Sequence, residues 1–379
     1  MMKKKILFLI NSLRDGGAEK ILVDIVNHLD PNKYDIEVRL IYKRGVYFDR
    51  LNRNVKLSFI SGEIGTTHAK VVSRLLPILN SEMLHRIFIR GKYDIEVAFL
   101  EGYATKIIAG APKGVKKIAW VHCDVTKTEW INGVYRTDAQ FSDCYRKIDK
   151  TICVSKTVKE AFIERFGEVT KLMVKYNPVD DKKIRELSQG KVILQPNENK
   201  ITLVSIGRMT YPKKFIRLLE AVNNLLKQGY RIELWILGDG EERNKLESFV
   251  KEQEIQDAVI FTGYLKNPYP YIRQADLYVC SSIYEGFSTA ATEALVLGTP
   301  VLTTDVSGMR EMLGDSEYGL ITENDDLAFE NGLRKLLDNP ELLKYYRAMA
   351  QKRSSYFEME NRLKEIEKLF NGENLNENS

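Results

Sequence analysis

The chain is predicted to be an α/β protein made of two doubly wound domains, on three observations. Short apolar runs that read as buried strands alternate with stretches that read as helices, in both halves of the sequence. The length of 379 residues suits two or three domains, and a hydrophobic content of 44% is enough for substantial cores. A mostly polar stretch, 181–200, reads as a surface connection and sets the boundary near Asp180. The first domain is therefore expected over 1–180 and the second over 181–354. A long terminal helix is expected over 355–371, followed by a frayed tail over 372–379.

In the first half, residues 6–10 form an expected strand that passes through a loop to Gly16-Gly17 and into a helix over 18–29. In the second half, a short apolar strand ends at Gly207, Arg208 follows at its edge, and a Pro212 turn carries Lys213 to a helix over 215–227. Residues 236–237, 277–280 and 301–302 read as buried strands, Glu285 to Ser288 as a turn, and 289–297 as a helix. Glu285 is thereby expected at the carboxyl edge of a parallel sheet, where such folds bind ligands.

Composition narrows the classes. Cys123, Cys144, Cys153 and Cys280 show neither C-x-x-C nor metal-like spacing, which points to a reducing cytoplasm and not to a disulfide scaffold. With no secretory h-region and no apolar run near the roughly 18 residues of a spanning helix, a soluble or peripheral protein is expected. Residues 1–180 carry 31 Lys and Arg against 21 Asp and Glu, while 181–379 carry 26 against 31, so the positive field lies on the first domain. Within it, residues 70–92 mix apolar residues with Lys70, Arg74, Arg86, Arg90 and Lys92 against one acid, Glu82. After Pro77, the residues Leu79, Met83, Leu84, Ile87 and Phe88 are expected on one helical face. That pattern suits an interfacial helix on an anionic bilayer, and equally a core-facing helix with a solvated basic side. Nucleic acid is not expected, because no helix-turn-helix, zinc or RNA-binding signature accompanies the basic patch.

The chemistry-bearing residues form a pattern suited to a sugar nucleotide. Glu285 and Glu293 lie on either side of a turn that runs into a helix. The first amides of that helix, at Ser288, Thr289 and Ala290, would form an anion site, and Glu293 could accept two hydrogen bonds from a ribose diol. Arg208 and Lys213 converge where a departing diphosphate needs positive charge fixed before its own charge develops. Gly16 and Gly17 let backbone N–H groups approach a phosphate, although the segment is not G-x-G-x-x-G and a dinucleotide site is not expected.

These segments, in this order, resemble family 4 of the retaining glycosyltransferases, from about Ile6 to Phe370. The resemblance rests on GGAEK (16–20), WVHCD (120–124), CVS (153–155), YNPVD (176–180), GRMTYPKK (207–214), LGDGEE (237–242), the Glu285–Glu293 stretch and GTPV (298–301). It implies the GT-B fold, two Rossmann-like domains facing a cleft that holds the nucleotide, with the terminal helix crossing back to the first domain. It also implies transfer of a hexose or N-acetylhexosamine from a nucleotide sugar, UDP-linked, with retention of configuration. The implied acceptor is a glycan or a polyprenyl-diphosphate-linked glycan in bacterial capsule, exopolysaccharide or O-antigen assembly, at the inner face of the plasma membrane.

In that scheme Arg208, Lys213 and the Gly16-Gly17 backbone steady the leaving diphosphate, and Glu285 with the backbone of Gly286, Phe287 and Ser288 holds the donor sugar. Glu293 binds the ribose, and Gly207, Gly238, Tyr264 and Thr289 belong to the nucleotide side. His122 lies near the donor sugar, and Glu101 and Asp124 are acceptor candidates. Read without the resemblance, His122 is a structural hydrogen-bonder and Glu101 serves equally well as a helix cap. Lys214 departs from the family, which usually carries Gly there, and Asn177-Pro178 stands where Asn-Gly is commoner. No D-x-D occurs, so side-chain cations are expected in place of a metal, and no cofactor is expected. Two alternatives stay open: a nucleotide-sugar epimerase or hydrolase on the same fold, and a non-catalytic nucleotide-sugar-binding partner of another transferase.

Overall fold

A computed structural model describes residues 3–135 and 137–373; from residue 374 on, the expected frayed tail lies outside the described residues. The chain divides into two compact units, one running up to Pro178 and taking up the chain again from Met359, the other spanning Val179–Glu358.

In the first unit the elements run β1 (Lys4–Ile10), α1 (Gly17–His28), β2 (Tyr34–Tyr42), β3 (Lys56–Ser61), α2 (Thr67–Ile78), α3 (Ser81–Phe88) and β4 (Ile95–Ala98). They continue with α4 (Tyr103–Ile108), β5 (Lys116–Val121), α5 (Asp138–Arg146), β6 (Lys150–Cys153), α6 (Lys156–Phe166) and β7 (Leu172–Val174). The seven strands lie in the order β3-β2-β1-β4-β5-β6-β7, and their pairings are parallel. Ile6 to Ile10 are buried without a break, as expected of a strand covered on both faces by helices. The order reverses between β1 and β4, so the chain leaves these neighbouring strands toward opposite faces and opens a crevice at their carboxyl ends.

The second unit contains α7 (Asp181–Leu187), β8 (Ile201–Ile206), α8 (Phe215–Lys227), β9 (Ile232–Leu237), α9 (Arg243–Glu252), β10 (Val259–Gly263), α10 (Tyr269–Gln274) and β11 (Leu277–Cys280). It is completed by α11 (Thr289–Val296), β12 (Val301–Thr304), α12 (Met309–Leu313), β13 (Leu320–Thr322), α13 (Asp326–Leu337) and α14 (Pro340–Ser354). Six parallel strands lie in the order β10-β9-β8-β11-β12-β13, with the reversal between β8 and β11. Helix α8 has the bounds its periodicity predicts, because Phe215, Leu218, Leu219, Val222 and Leu225 repeat at helical spacing and are buried in the core against Leu234, Leu277 and Phe329.

Three expectations need correction. The stretch 181–200 does not begin as a loop: Asp180 accepts the Lys183 amide at 3.1 Å and starts α7, which buries Ile184. The stretch 70–92 is not one amphipathic helix. Pro77 is accommodated inside α2, and the break comes at Leu79-Asn80, where Asn80 caps α3 by accepting the Met83 amide at 2.9 Å. At helical spacing Met83 and Ile87 share one stripe and Leu84 the next, so Leu84 is buried while Met83 and Ile87 are exposed. The terminal helix, α15 (Met359–Asn371), begins later than residue 355, because Ser355–Phe357 forms a 3₁₀ turn that buries Phe357 beside Phe287 in the second unit.

Helix α15 is part of the first unit's core. Phe370 meets Phe8 and Tyr34 edge-on, each at 6.0 Å between ring centroids. Lys175 pairs with Glu365 at 3.0 Å, while Lys4 and Lys116 donate to the carbonyls of Phe370 and Leu369, groups a helix end leaves without intrahelical partners.

Candidate active site

At the second unit's switch point, the segment leaving β8 is stitched to those leaving β9 and β11. Gly207 donates its N–H to Leu237 O at 3.1 Å, and Gly238, at φ 133°, packs so closely that a Cβ there would stand 2.1 Å from Gly207 O. Only glycine fits that position. The chain then makes a 3₁₀ turn over Tyr211–Lys213 and passes through Lys214 in the left-handed region, φ 43° and ψ 49°. Glycine enters this region without strain, and this chain enters it with a lysine. Ile283 N–H donates to Pro212 O at 2.8 Å and the Ser281 hydroxyl to Lys213 O at 2.9 Å, so the β11 segment holds the lysine's backbone.

The side chains complete the junction. Lys213 Nζ donates to Glu285 Oε1 at 2.6 Å, and the buried Ser282 hydroxyl donates to the same oxygen at 2.7 Å. Burial works against the Lys213 ammonium, but Glu285 outweighs it and raises the pKa; Arg208 is close enough to act in the opposite sense. Two cations and a carboxylate therefore converge at the ends of adjacent strands. Behind them Arg217, buried on α8, donates to Ser281 O at 3.2 Å, Asn324 at 2.8 Å and Asp326 at 2.6 Å. Asp326 also pairs with Lys214 at 2.8 Å.

Helix α11 begins at the Ser288 cap, whose hydroxyl accepts the Ala291 amide at 3.4 Å. Thr292 makes the first intrahelical bond, to Ser288 O, and the cap takes the Ala291 amide, so the donors at the helix start are the amides of Ser288, Thr289 and Ala290. Glu293, 5% exposed, accepts from the Tyr269 hydroxyl at 3.3 Å, which orients its carboxylate. Phe287 is buried, and Gly286 offers its carbonyl to the close approach of Gly308, where a Cβ would stand 2.8 Å away. Tyr264, directly after β10, is 45% exposed.

In the first unit, Gly16 caps α1 in extended conformation, and the Glu19 carboxylate fills the room beside it, where a Cβ on Gly16 would stand 2.1 Å from Glu19 Oε2. The helix start thus carries a carboxylate of its own. Glu101 follows β4 and is 3% exposed, with Oε2 accepting the His122 amide at 2.9 Å. His122, just past β5, lies against Phe99 at 4.9 Å between centroids. Its Nε2 is shielded from solvent and has no hydrogen-bond partner, and burial lowers its pKa to about 3, so the ring is neutral. Asp124 is buried and accepts from the Thr126 amide at 3.0 Å and hydroxyl at 2.6 Å.

Sequence reasoning missed Ser282, Tyr269 and Arg217. Only Arg217 left a signal, a cation on the apolar face of α8. Among the described residues no group of His, Cys, Asp or Glu could hold a metal ion, and no helix is long and apolar enough to cross a membrane.

Two doubly wound sheets, each with polar groups gathered at its switch point, define a two-domain α/β protein of the nucleotide-binding kind. Residues 15–183 match the family described as Glycosyltransferase Family 4, and residues 189–353 the one described as Glycosyl transferases group 1. Together the two matches cover most of the chain, which belongs to these glycosyltransferases. A similar curated protein is the N-acetylgalactosamine-N,N'-diacetylbacillosaminyl-diphospho-undecaprenol 4-alpha-N-acetylgalactosaminyltransferase of Campylobacter jejuni, 30% identical over 56% of this chain and 58% of its own length. The chain thus spans little more than half of that relative. The lipopolysaccharide core biosynthesis glycosyltransferase LpsE of Rhizobium meliloti is 26% identical over 83% of each chain. Among solved structures, Anabaena HepE in complex with UDP and glucose superposes with a TM-score of 0.75 at 19% identity, covering 97% of this chain and 99% of that one. Sucrose-phosphate synthase from Thermosynechococcus elongatus gives 0.79 at 15% identity, covering 98% and 99%. These likenesses show the fold, GT-B with two Rossmann-like domains.

Proposed function

We propose that the chain transfers a hexose or N-acetylhexosamine from a UDP-linked donor to a glycan or polyprenyl-diphosphate-linked glycan acceptor, with retention of configuration, in bacterial cell-surface polysaccharide synthesis. The observation that carries this reading is the contact of Lys213 with Glu285 beside Arg208 at the β8–β11 switch point. The Lys213 ammonium rests on the Glu285 carboxylate. A diphosphate would take over the ammonium and release Glu285 Oε1 to accept from a sugar hydroxyl. Arg208 and Lys213 then stabilise the charge that grows on the leaving UDP, so neither a general acid nor a metal is required. Glu293, already oriented by Tyr269, accepts from the ribose, and Thr289 and Ala290 offer amides to a phosphate. The neutral His122 offers Nε2 to a sugar hydroxyl. Supporting the choice of substrates are the UDP bound by HepE and the diphospho-undecaprenol in the Campylobacter relative's name.

The same reading places the protein on the cytoplasmic side of the membrane, in contact with anionic lipid. Val71, Ile78, Met83 and Ile87 are exposed on α2 and α3, Ile78 by 65%, and Lys70, Arg74, Arg86, Arg90 and Lys92 are exposed among them or just beyond.

The test is a thermal-protection screen of nucleotide sugars, followed by UDP release and product NMR with and without glycan acceptors. Acceptor-dependent release with an α product from an α donor is expected. Release of free sugar alone would make the protein a hydrolase, an epimerised nucleotide an epimerase, and binding without turnover a non-catalytic partner. A β product would overturn retention.

A further inference from the structure

Glu101 is among the least exposed acids of the chain, yet it makes no ion pair in the described structure. The groups that favour its charged form are three hydrogen-bond donors, the Cys123 thiol and the amides of His122 and Glu101; burial outweighs them and raises its pKa. A carboxyl buried on such terms costs free energy, and here two of its three bonds fasten one short piece of chain. That piece is His122-Cys123, the first two residues after β5. Phe99, two residues before Glu101 on the segment leaving β4, lies against the His122 ring. The β4 segment therefore holds His122 at two points, with Phe99 on the imidazole and Glu101 on the amide. The imidazole so held keeps a shielded Nε2 without a hydrogen-bond partner.

We propose that Glu101 is a positioning residue, whose carboxyl clamps the His122 amide and the Cys123 thiol so that the imidazole presents Nε2 as an uncharged hydrogen-bonding group to the substrate. In this role Glu101 acts through His122, in place of the acceptor contact the sequence suggested for it. The inference rests on the reading of His122 as a substrate-facing group. The clamp needs an acceptor oxygen at the right reach and does not need negative charge. Gln supplies that oxygen; Asp keeps the charge but falls one methylene short.

The experiment compares wild type with Glu101→Gln, Glu101→Asp, Glu101→Ala, His122→Ala and the Glu101→Ala/His122→Ala double variant in the full chain. It reads UDP release from the donor that protects best in the thermal screen, UDP affinity, melting midpoint, and the His122 ring resonances by NMR across pH. Glu101→Gln is expected within about threefold of wild-type kcat, and Glu101→Asp and Glu101→Ala down by about tenfold or more with UDP affinity unchanged. The double variant is expected to be no slower than the slower single, because both act through one group. In Glu101→Asp the His122 ring is expected to titrate nearer its ordinary range, as water reaches it. Glu101→Gln as slow as Glu101→Ala, a multiplicative double variant, or wild-type kcat in both Asp and Ala variants would overturn the clamp. Should Glu101→Ala fail to fold, the contrast between Gln and Asp decides alone. Wild-type kcat in His122→Ala would remove the reading on which the clamp rests, and shows before any Glu101 variant is compared.

Discussion

Lys213 and Glu285 are 72 positions apart in sequence and 2.6 Å apart in space, and their pairing sets what each substitution should do. On the proposed mechanism each cation acts on charge that grows in the transition state, so Lys213→Ala and Arg208→Ala are each expected to lower turnover by about two orders of magnitude while leaving the fold intact. Full activity in both single variants would remove them from the mechanism. The residue types were legible, because a strand, an Arg and a Lys before a helix form a local pattern. Their union was not, since it depends on β8 and β11 being neighbours, which no local pattern encodes. Lys214 shows the converse. Its left-handed backbone costs about 1–2 kcal/mol, and Gly would relieve that strain at the expense of the pair with the exposed Asp326. Lys214→Gly is expected to raise the melting midpoint without changing turnover; a lower midpoint would show that the Asp326 pair outweighs the strain. His122 makes a prediction on pH. Its folded pKa is depressed from 6.5 to about 3, so the stability it contributes is present above its unfolded value and is lost as pH falls through that window. The rate profile should accordingly show no limb near pH 6.5 that disappears in His122→Ala.

At the scale of the element, the two helices α2 and α3 are carried on buried polar groups. Lys106 donates to Leu76 O at 2.9 Å and Pro77 O at 3.2 Å, closing the end of α2. Arg39, on β2, donates to Phe88 O at 3.0 Å and Arg90 O at 3.3 Å, closing the end of α3, and His85 meets Glu96 at 2.9 Å beneath it. Arg39 is itself held by Glu37. Burial pushes the Glu37 carboxyl up, but hydrogen bonds from Lys56, Ser58 and Arg39 outweigh it and hold the pKa at about 2, below the ordinary 4.5. A depressed carboxyl stabilises the fold above its unfolded pKa and loses that contribution as pH falls from 4.5 toward 2. Acid unfolding of the wild type should steepen in this window, and Glu37→Gln should flatten it; identical acid curves would deny Glu37 the role. Anchored in this way, the exposed face of α2 and α3 is expected to bring the protein down with liposomes rich in anionic lipid, less with neutral ones, and less in high salt. Charge reversal at Arg74, Arg86 and Arg90 should reduce binding and spare activity on a soluble acceptor; sedimentation blind to lipid charge would sink the membrane reading. The basic composition of this stretch was legible in the sequence. Its division at Asn80 was not, because a capping asparagine inside a periodic run looks like any exposed helical residue.

For the whole molecule, alternating strands and helices announced the architecture, because parallel sheets buried on both faces demand continuous apolar runs. UDP is expected to raise the melting midpoint with the logarithm of its concentration above Kd, by about 2.7 kcal/mol of stability at a hundredfold excess, and a midpoint unmoved by millimolar UDP would leave the second unit without its nucleotide. The membership of α15 in the first unit has a temporal consequence. Phe370 closes over Phe8 and Tyr34, yet the ribosome must produce all of Val179–Glu358 between Pro178 and the first residue of that helix. At about 5–20 residues per second, the nascent amino-terminal sheet waits roughly 10 to 40 seconds for its last layer. During that interval its outermost aromatic side chains stand open to water and to one another on neighbouring polysomes. Yield in the cell should therefore respond to translation speed and chaperone supply, even where the finished enzyme is indifferent to both.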